Sequence, residues 1–171
     1  MDSSENGNLL LEQYGRFKRM ELKKSPFHFL LASESHIDAN PHQINAFCAD
    51  IDAMKTGGMV LADEVGLGKT IEAGLVLRYM LESGAKKVLI ALPASLRKQW
   101  ELELEDKFDL SAVILDRLTV EHDAKDWHKK LADRQSVRIV ITSYDYSGKL
   151  MKRFPDVKWD FLIIDEAHNL R

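Results

Sequence analysis

From Val60 onward, short apolar runs rich in branched residues alternate with stretches whose apolar residues recur at helical period. The runs are GMVLA, KKVLIAL, SAVILD, VRIVITS and WDFLIID, separated by KTIEAGLVLRYMLES, ASLRKQWELELEDKF and VEHDAKDWHKKLADR. A strand covered on both faces needs apolar residues throughout, whereas a helix lying on a sheet needs only one apolar stripe. In KTIEAGLVLRYMLES that stripe runs through Ile71, Leu75, Val76, Tyr79 and Met80. Five strands alternating with three crossover helices predict an α/β fold on a mainly parallel sheet. Gly84, Pro93 and Gly148 are expected at element boundaries, as turn or helix-end residues.

Upstream, ANPHQINAFCADIDAMKTGG reads as a leading helix, with Asn40 as its N-cap, Pro41 at the first helical position and Gly57 and Gly58 closing it. Residues 1–40 then form an N-terminal extension. Its first eight residues are expected to be disordered, LLLEQYGRFKRMELKK could be a partly amphipathic helix, and FHFLLAS a short strand or a loop.

Composition narrows the setting. A chain of 171 residues with 45% apolar content can bury one core. The balance of 24 basic against 27 acidic residues gives a formal charge of -3, so no global positive field draws in nucleic acid, and any such contact must be local. Cys48 is the single cysteine, which excludes an internal disulfide, fits a reducing compartment, and reads as a small buried apolar residue. No apolar run approaches the ~18 residues of a membrane span, and the N-terminus has no basic region ahead of a long apolar one. A soluble cytoplasmic protein is expected.

Two segments carry chemistry. Gly66, Gly68, Lys69 and Thr70 follow an apolar strand and open a helix, so backbone N–H groups can converge on an anion where side chains would obstruct it. Lys69 is placed to set its ammonium against the outer phosphates, and the Thr70 hydroxyl to reach a magnesium ion bridging them. The common phosphate-loop pattern G-x-x-x-x-G-K-[ST] puts a glycine where this chain has Asp63. The second segment is FLIIDEAH, with Asp165 and Glu166 at the C-terminal end of a strand, where a parallel sheet presents its ligands. Asp165 would hold magnesium, directly or through water, and Glu166 would orient and activate an attacking water. Taken singly, a Gly-rich turn and a pair of solvated acids closing a strand are the bland alternatives.

LADEVGLGKT taken with DEAH resembles the first motor lobe of superfamily 2 helicase-related ATPases, and within them the Swi/Snf-like double-stranded DNA translocases of the bacterial RapA-like branch. The family pattern A-D-E-x-G-L-G-K-T is matched from Ala62 to Thr70, so Asp63 belongs to it; a loop turning there with negative φ can dispense with glycine. The resemblance covers residues 41–171 and implies a RecA-like P-loop NTPase, a three-layer sandwich that stops after the DEAH motif. It implies ATP and Mg2+ as cofactors, held by Asp63, Glu64, Val65, Gly66, Leu67, Gly68, Lys69 and Thr70, with Lys69, Asp165 and Glu166 catalytic. Gln43 resembles the family's adenine-reading glutamine, and His168 a residue coupling the nucleotide to the second lobe. LPASLRKQW, through Ser95 and Leu96, and ITSYDY, through Thr142, Ser143 and Tyr144, resemble segments placed on the DNA backbone. The implied partners are double-stranded DNA and a second RecA-like lobe, in cis or in trans.

The other conspicuous residues read as structural. Trp100 and Trp127 are expected to pack, Trp159 to anchor the last strand, and ELELEDKF to form a solvated helix face with Glu103 paired to Lys107. His28, His36, His42, His122 and His128 lack metal-ligand spacing. In the family the second lobe supplies the arginines that neutralise charge on the γ-phosphate. An arginine finger is worth ~10³ to 10⁵ in rate, about 4 to 7 kcal/mol of barrier. The chain is therefore expected to bind ATP, to hydrolyse it poorly and not to translocate alone. Because the family's lobe continues past DEAH, an exposed sheet edge is also expected. A stand-alone nucleotide-binding or interaction module remains the alternative, while a small-molecule kinase is disfavoured for want of a lid and an acceptor segment.

Overall fold

The structure, a computed structural model, describes residues 47–49, 51–53 and 69–169, which fall in two units. The GMVLA run, Gln43 and Asp63 to Gly68 lie outside the described residues. In the first unit, residues 47–49 and 51–53 are helical, within the leading helix expected there. Phe47 and Ile51, one turn apart on the same face, are both buried, and Cys48 is half-buried.

The second unit holds α1 (Lys69–Glu82), β1 (Lys87–Leu92), α2 (Arg97–Phe108), β2 (Ala112–Ile114), α3 (Arg117–His122), α4 (Ala124–Ala132), β3 (Arg138–Ser143), α5 (Tyr144–Arg153) and β4 (Phe161–Ile164). Short 3-10 turns precede α2 at Ala94–Leu96 and follow β4 at Ala167–Asn169. The strands form one sheet in the order β2-β3-β1-β4, every pair parallel. The KVLIAL strand, apolar after its lysine, is buried at all six positions because it lies between two neighbours and is covered on both faces.

Alternation along the strands separates two cores. Leu89 sits in register with Val140 and Leu162, and Val140 with Val113. Leu89 and Val140 pack with Leu115, Val120, Leu131, Leu150 and Phe154, so α3, α4 and α5 cover that face. The alternate set, Val88 and Ile90 of β1 with Ile139 and Ile141 of β3, turns to the other face, where α2 buries Trp100, Leu104 and Phe108. Here α1 crosses closely over α2: a Cβ added at Gly74 would stand 2.2 Å from Phe108 Cζ.

Helix ends explain the boundaries. Gly84, at φ 111°, closes α1 with paired bonds from its N–H to Leu81 O (3.1 Å) and from Ala85 N–H to Met80 O (2.9 Å). That reverse turn suits glycine, as expected for this position. Asp109, at φ 53°, ends α2 in the same way. The third expected strand is shorter than its apolar run, because Asp116 turns to cap α3, its Oδ1 accepting from Thr119 N and Oγ1, both at 2.9 Å. The helix expected over VEHDAKDWHKKLADR is two helices: Asp123, at φ −147°, leaves helical geometry and caps α4. Gly148 is a correction too. It lies inside α5, a helix missing from the three expected, which forms because Leu150 and Tyr146 pack toward the core while the glycine faces solvent.

Among the described residues Lys87 is the buried cation of the sheet. Its Nζ donates to the carbonyls of Asp133 and Ser136, tying down the loop before β3, and burial, followed by the neighbouring Arg138, lowers its pKa. Among the described residues β4 ends the sheet, and on its outer positions Leu162 and Ile164 are 44% and 43% exposed.

Candidate nucleotide and DNA-facing site

Parallel strands deliver their C-terminal ends to one rim. Leu92 is in register with Ser143, and Ala91 with Ile164, so the segments after β1, β3 and β4 leave the sheet side by side. Segments called from three distant stretches of sequence, Ser95–Leu96, Thr142–Tyr144 and Asp165–His168, therefore meet on that rim, the usual ligand side of such a sheet.

Asp165 continues β4 for one residue, its N–H donating to Ala91 O at 3.1 Å. By alternation it falls with Phe161 and Ile163 on the face covered by α2. There its Oδ2 accepts from Trp100 Nε1 at 2.8 Å, while its Oδ1 accepts from the N–H of Glu166 at 2.9 Å. Glu166 has a left-handed backbone, φ 53°, which costs a non-glycine residue energy and turns the chain sharply after the strand. Its exposed carboxylate lies 3.2 Å from His168 Nδ1, and both side chains face solvent.

Trp100 was expected only to pack. It is 4% exposed and does pack, but a buried indole N–H needs an acceptor, and here the acceptor is the motif aspartate. The requirement for a partner was legible in the sequence; which carboxylate would meet it was not.

Ser95 is exposed and Leu96 half-buried in the 94–96 turn, with Lys98 71% exposed just beyond. Thr142 differs from its neighbours. It is fully buried, and its hydroxyl donates to Leu115 O at 2.9 Å, so that hydroxyl is committed inside the fold. Ser143 and Tyr144 are half-buried at the start of α5. The Tyr144 phenol oxygen is buried without a hydrogen-bond partner, and burial, then the Asp165 and Glu166 carboxylates, raises its pKa.

Lys69 is the first residue of α1 and Thr70 is half-buried behind it. A helix start leaves backbone N–H groups without intrahelical acceptors, which is the general basis for the phosphate site read in this segment. The donor set also suits a magnesium ion. Such an ion, carried by a triphosphate, needs only one or two protein oxygens, and each Asp165 oxygen keeps lone pairs beyond the single N–H it accepts.

A parallel α/β sheet with an Asp-Glu pair following its β4 strand, in a chain that also has a helix opening in Lys-Thr, matches the RecA-like core of a P-loop ATPase. The chain belongs to the SNF2-related domain family, whose model matches residues 29–171, and it is the N-terminal lobe of a superfamily 2 Swi/Snf-like ATPase. It is 38% identical over 134 residues to the RNA polymerase-associated protein RapA of Klebsiella pneumoniae (strain 342), covering 76% of this chain and 13% of RapA. It also resembles the Sulfolobus solfataricus SWI2/SNF2 ATPase core solved in complex with dsDNA, with a TM-score of 0.61 and 29% identity, covering 81% of this chain and 28% of that one. The chain thus spans a small part of both relatives.

Proposed function

We propose that residues 41–171 are the ATP-binding part of a motor lobe that, joined to a second RecA-like lobe in cis or in trans, hydrolyses ATP to move on double-stranded DNA, with residues 1–40 as an extension. The observation that carries the reading is the shared rim. It puts the Asp165–Glu166 pair beside the 94–96 turn and the start of α5, as an enzyme coupling nucleotide to a DNA backbone requires. In this reading Asp63 to Thr70 cradle the triphosphate, Gln43 reads adenine, and Thr70 and Asp165 hold Mg2+, which when bound neutralises charge on the phosphates. Glu166 orients the attacking water, and His168, bonded to it, relays its state toward the second lobe. Ser95, Leu96 and Ser143 face the DNA backbone, while Thr142, whose hydroxyl is committed to Leu115 O, and Tyr144, whose phenol oxygen is buried, contribute by fixing the segment.

In this reading residues 1–171 tested by themselves, with no second lobe's arginines supplied, bind ATP and turn it over slowly. No helix among the described residues is long and apolar enough to cross a membrane, and the reading places the protein in the cytoplasm on DNA. Calorimetry of Mg2+-ATP binding with and without Lys69→Ala tests it. Loss of a charge-assisted phosphate contact worth about 1.5–3 kcal/mol weakens binding by about 10- to 100-fold. Unchanged affinity would remove the phosphate site and the function built on it.

A further inference from the structure

Both oxygens of Asp165 are occupied by single N–H donors from different elements. Glu166, turned by its left-handed backbone, bonds Oδ1 at 2.9 Å; Trp100, in the first turn of α2 and 65 residues away in sequence, bonds Oδ2 at 2.8 Å. A carboxylate held at one oxygen can swivel about its side-chain torsions, whereas one held at both presents its remaining lone pairs in a fixed direction. The Trp100 ring is 4% exposed, so its own direction is set by packing.

We propose that Trp100 is a positioning residue for the metal-nucleotide site, its indole N–H fixing the Asp165 carboxylate in the orientation that receives a divalent cation. This rests on the functional reading above, in which Asp165 is a magnesium ligand. It assigns to a tryptophan the role of an outer hydrogen-bond partner, a class of residue whose loss costs a metal site about 10- to 100-fold in affinity.

The test uses the 171-residue chain and the indole N–H resonances of its three tryptophans, assigned by Phe substitution. In Asp165→Ala the Trp100 indole proton should move upfield as it loses a charged acceptor, with the other two unmoved. In the wild type it should shift on titration with Mg2+-ADP. In Trp100→Phe, Mg2+-ADP should bind about tenfold or more weakly while ADP in EDTA keeps its affinity, since only the cation-dependent part is affected. An unmoved Trp100 indole in Asp165→Ala overturns the proposal, and it does so even if Trp100→Phe does not fold. So does an equal loss of affinity with and without Mg2+, which marks a purely structural role. No nucleotide binding by the wild type overturns the functional reading together with this proposal, whereas normal Mg2+-ADP binding by Trp100→Phe overturns this proposal alone.

Discussion

Replacing Thr142 with valine separates a structural hydroxyl from a DNA-facing one. The two side chains share a shape, so the change removes one donor and adds one methyl group. In the structure Thr142 is fully buried and donates to Leu115 O at 2.9 Å, and Leu115 is fully buried as well. Depriving a buried carbonyl of its donor costs about 1–3 kcal/mol. Burying the extra methyl returns about 0.8 kcal/mol. The net is a destabilisation of about 1 kcal/mol, or about 2–4 °C in Tm for a chain of this size. Thermal unfolding measures the first part, and fluorescence anisotropy of a labelled DNA duplex at low salt measures the second, which should be unchanged. A Tm equal to wild type with weakened DNA binding would refute the reasoning, because it would mean that the hydroxyl serves phosphate and not Leu115.

Other outcomes follow from the same geometry. Gly148→Ala should stabilise the chain by about 0.5–1 kcal/mol, because the residue is exposed inside α5 and a Cβ there meets nothing within 4 Å; a lowered Tm would contradict the helical assignment. Asp160 accepts from the N–H groups of Lys86 (2.8 Å) and Lys87 (2.9 Å), and these bonds, that of Lys87 foremost, hold its pKa below the usual carboxylate value. A lowered folded pKa gives stability that is present above about pH 4 and lost as pH falls through the folded value. Asp160→Asn should therefore be less stable at pH 7 and show a flatter decline below about pH 4 in urea titrations. Glu166→Gln should keep ATP affinity while hydrolysis, measured with a second lobe supplied in trans, falls by about 10²- to 10⁴-fold. Residual turnover equal to wild type would remove Glu166 from the chemistry.

Much of this was legible in the sequence because periodicity reports burial. KKVLIAL, VRIVITS and WDFLIID became β1, β3 and β4, and Gly84 and the Glu103–Lys107 pair, at 3.0 Å, sit as expected. Reading failed where a side chain competes with the pattern. Asp116 and Asp123 end elements by accepting backbone N–H groups, and each is indistinguishable in sequence from a solvated acid. Gly148 failed for the opposite reason: tertiary packing of Leu150 and Tyr146 outweighs a local propensity cost of about 1 kcal/mol.

For the site, residue types and spacing named the chemistry: Lys69 and Thr70 opening a helix, and Asp165 and Glu166 closing a strand. Those choices are local, because phosphate and cation each need particular groups at particular chain positions. Neighbourhood was decided only by the fold. The order β2-β3-β1-β4 brings β4 beside β1 although β2 and β3 lie between them in the chain, places Trp100 against Asp165, and turns the Thr142 hydroxyl and the Tyr144 phenol inward while Ser143 stays half-buried on the rim. Hydrophobic pattern fixes which residues are buried, but strand order and register fix which buried groups meet, and those arise from packing over the whole chain.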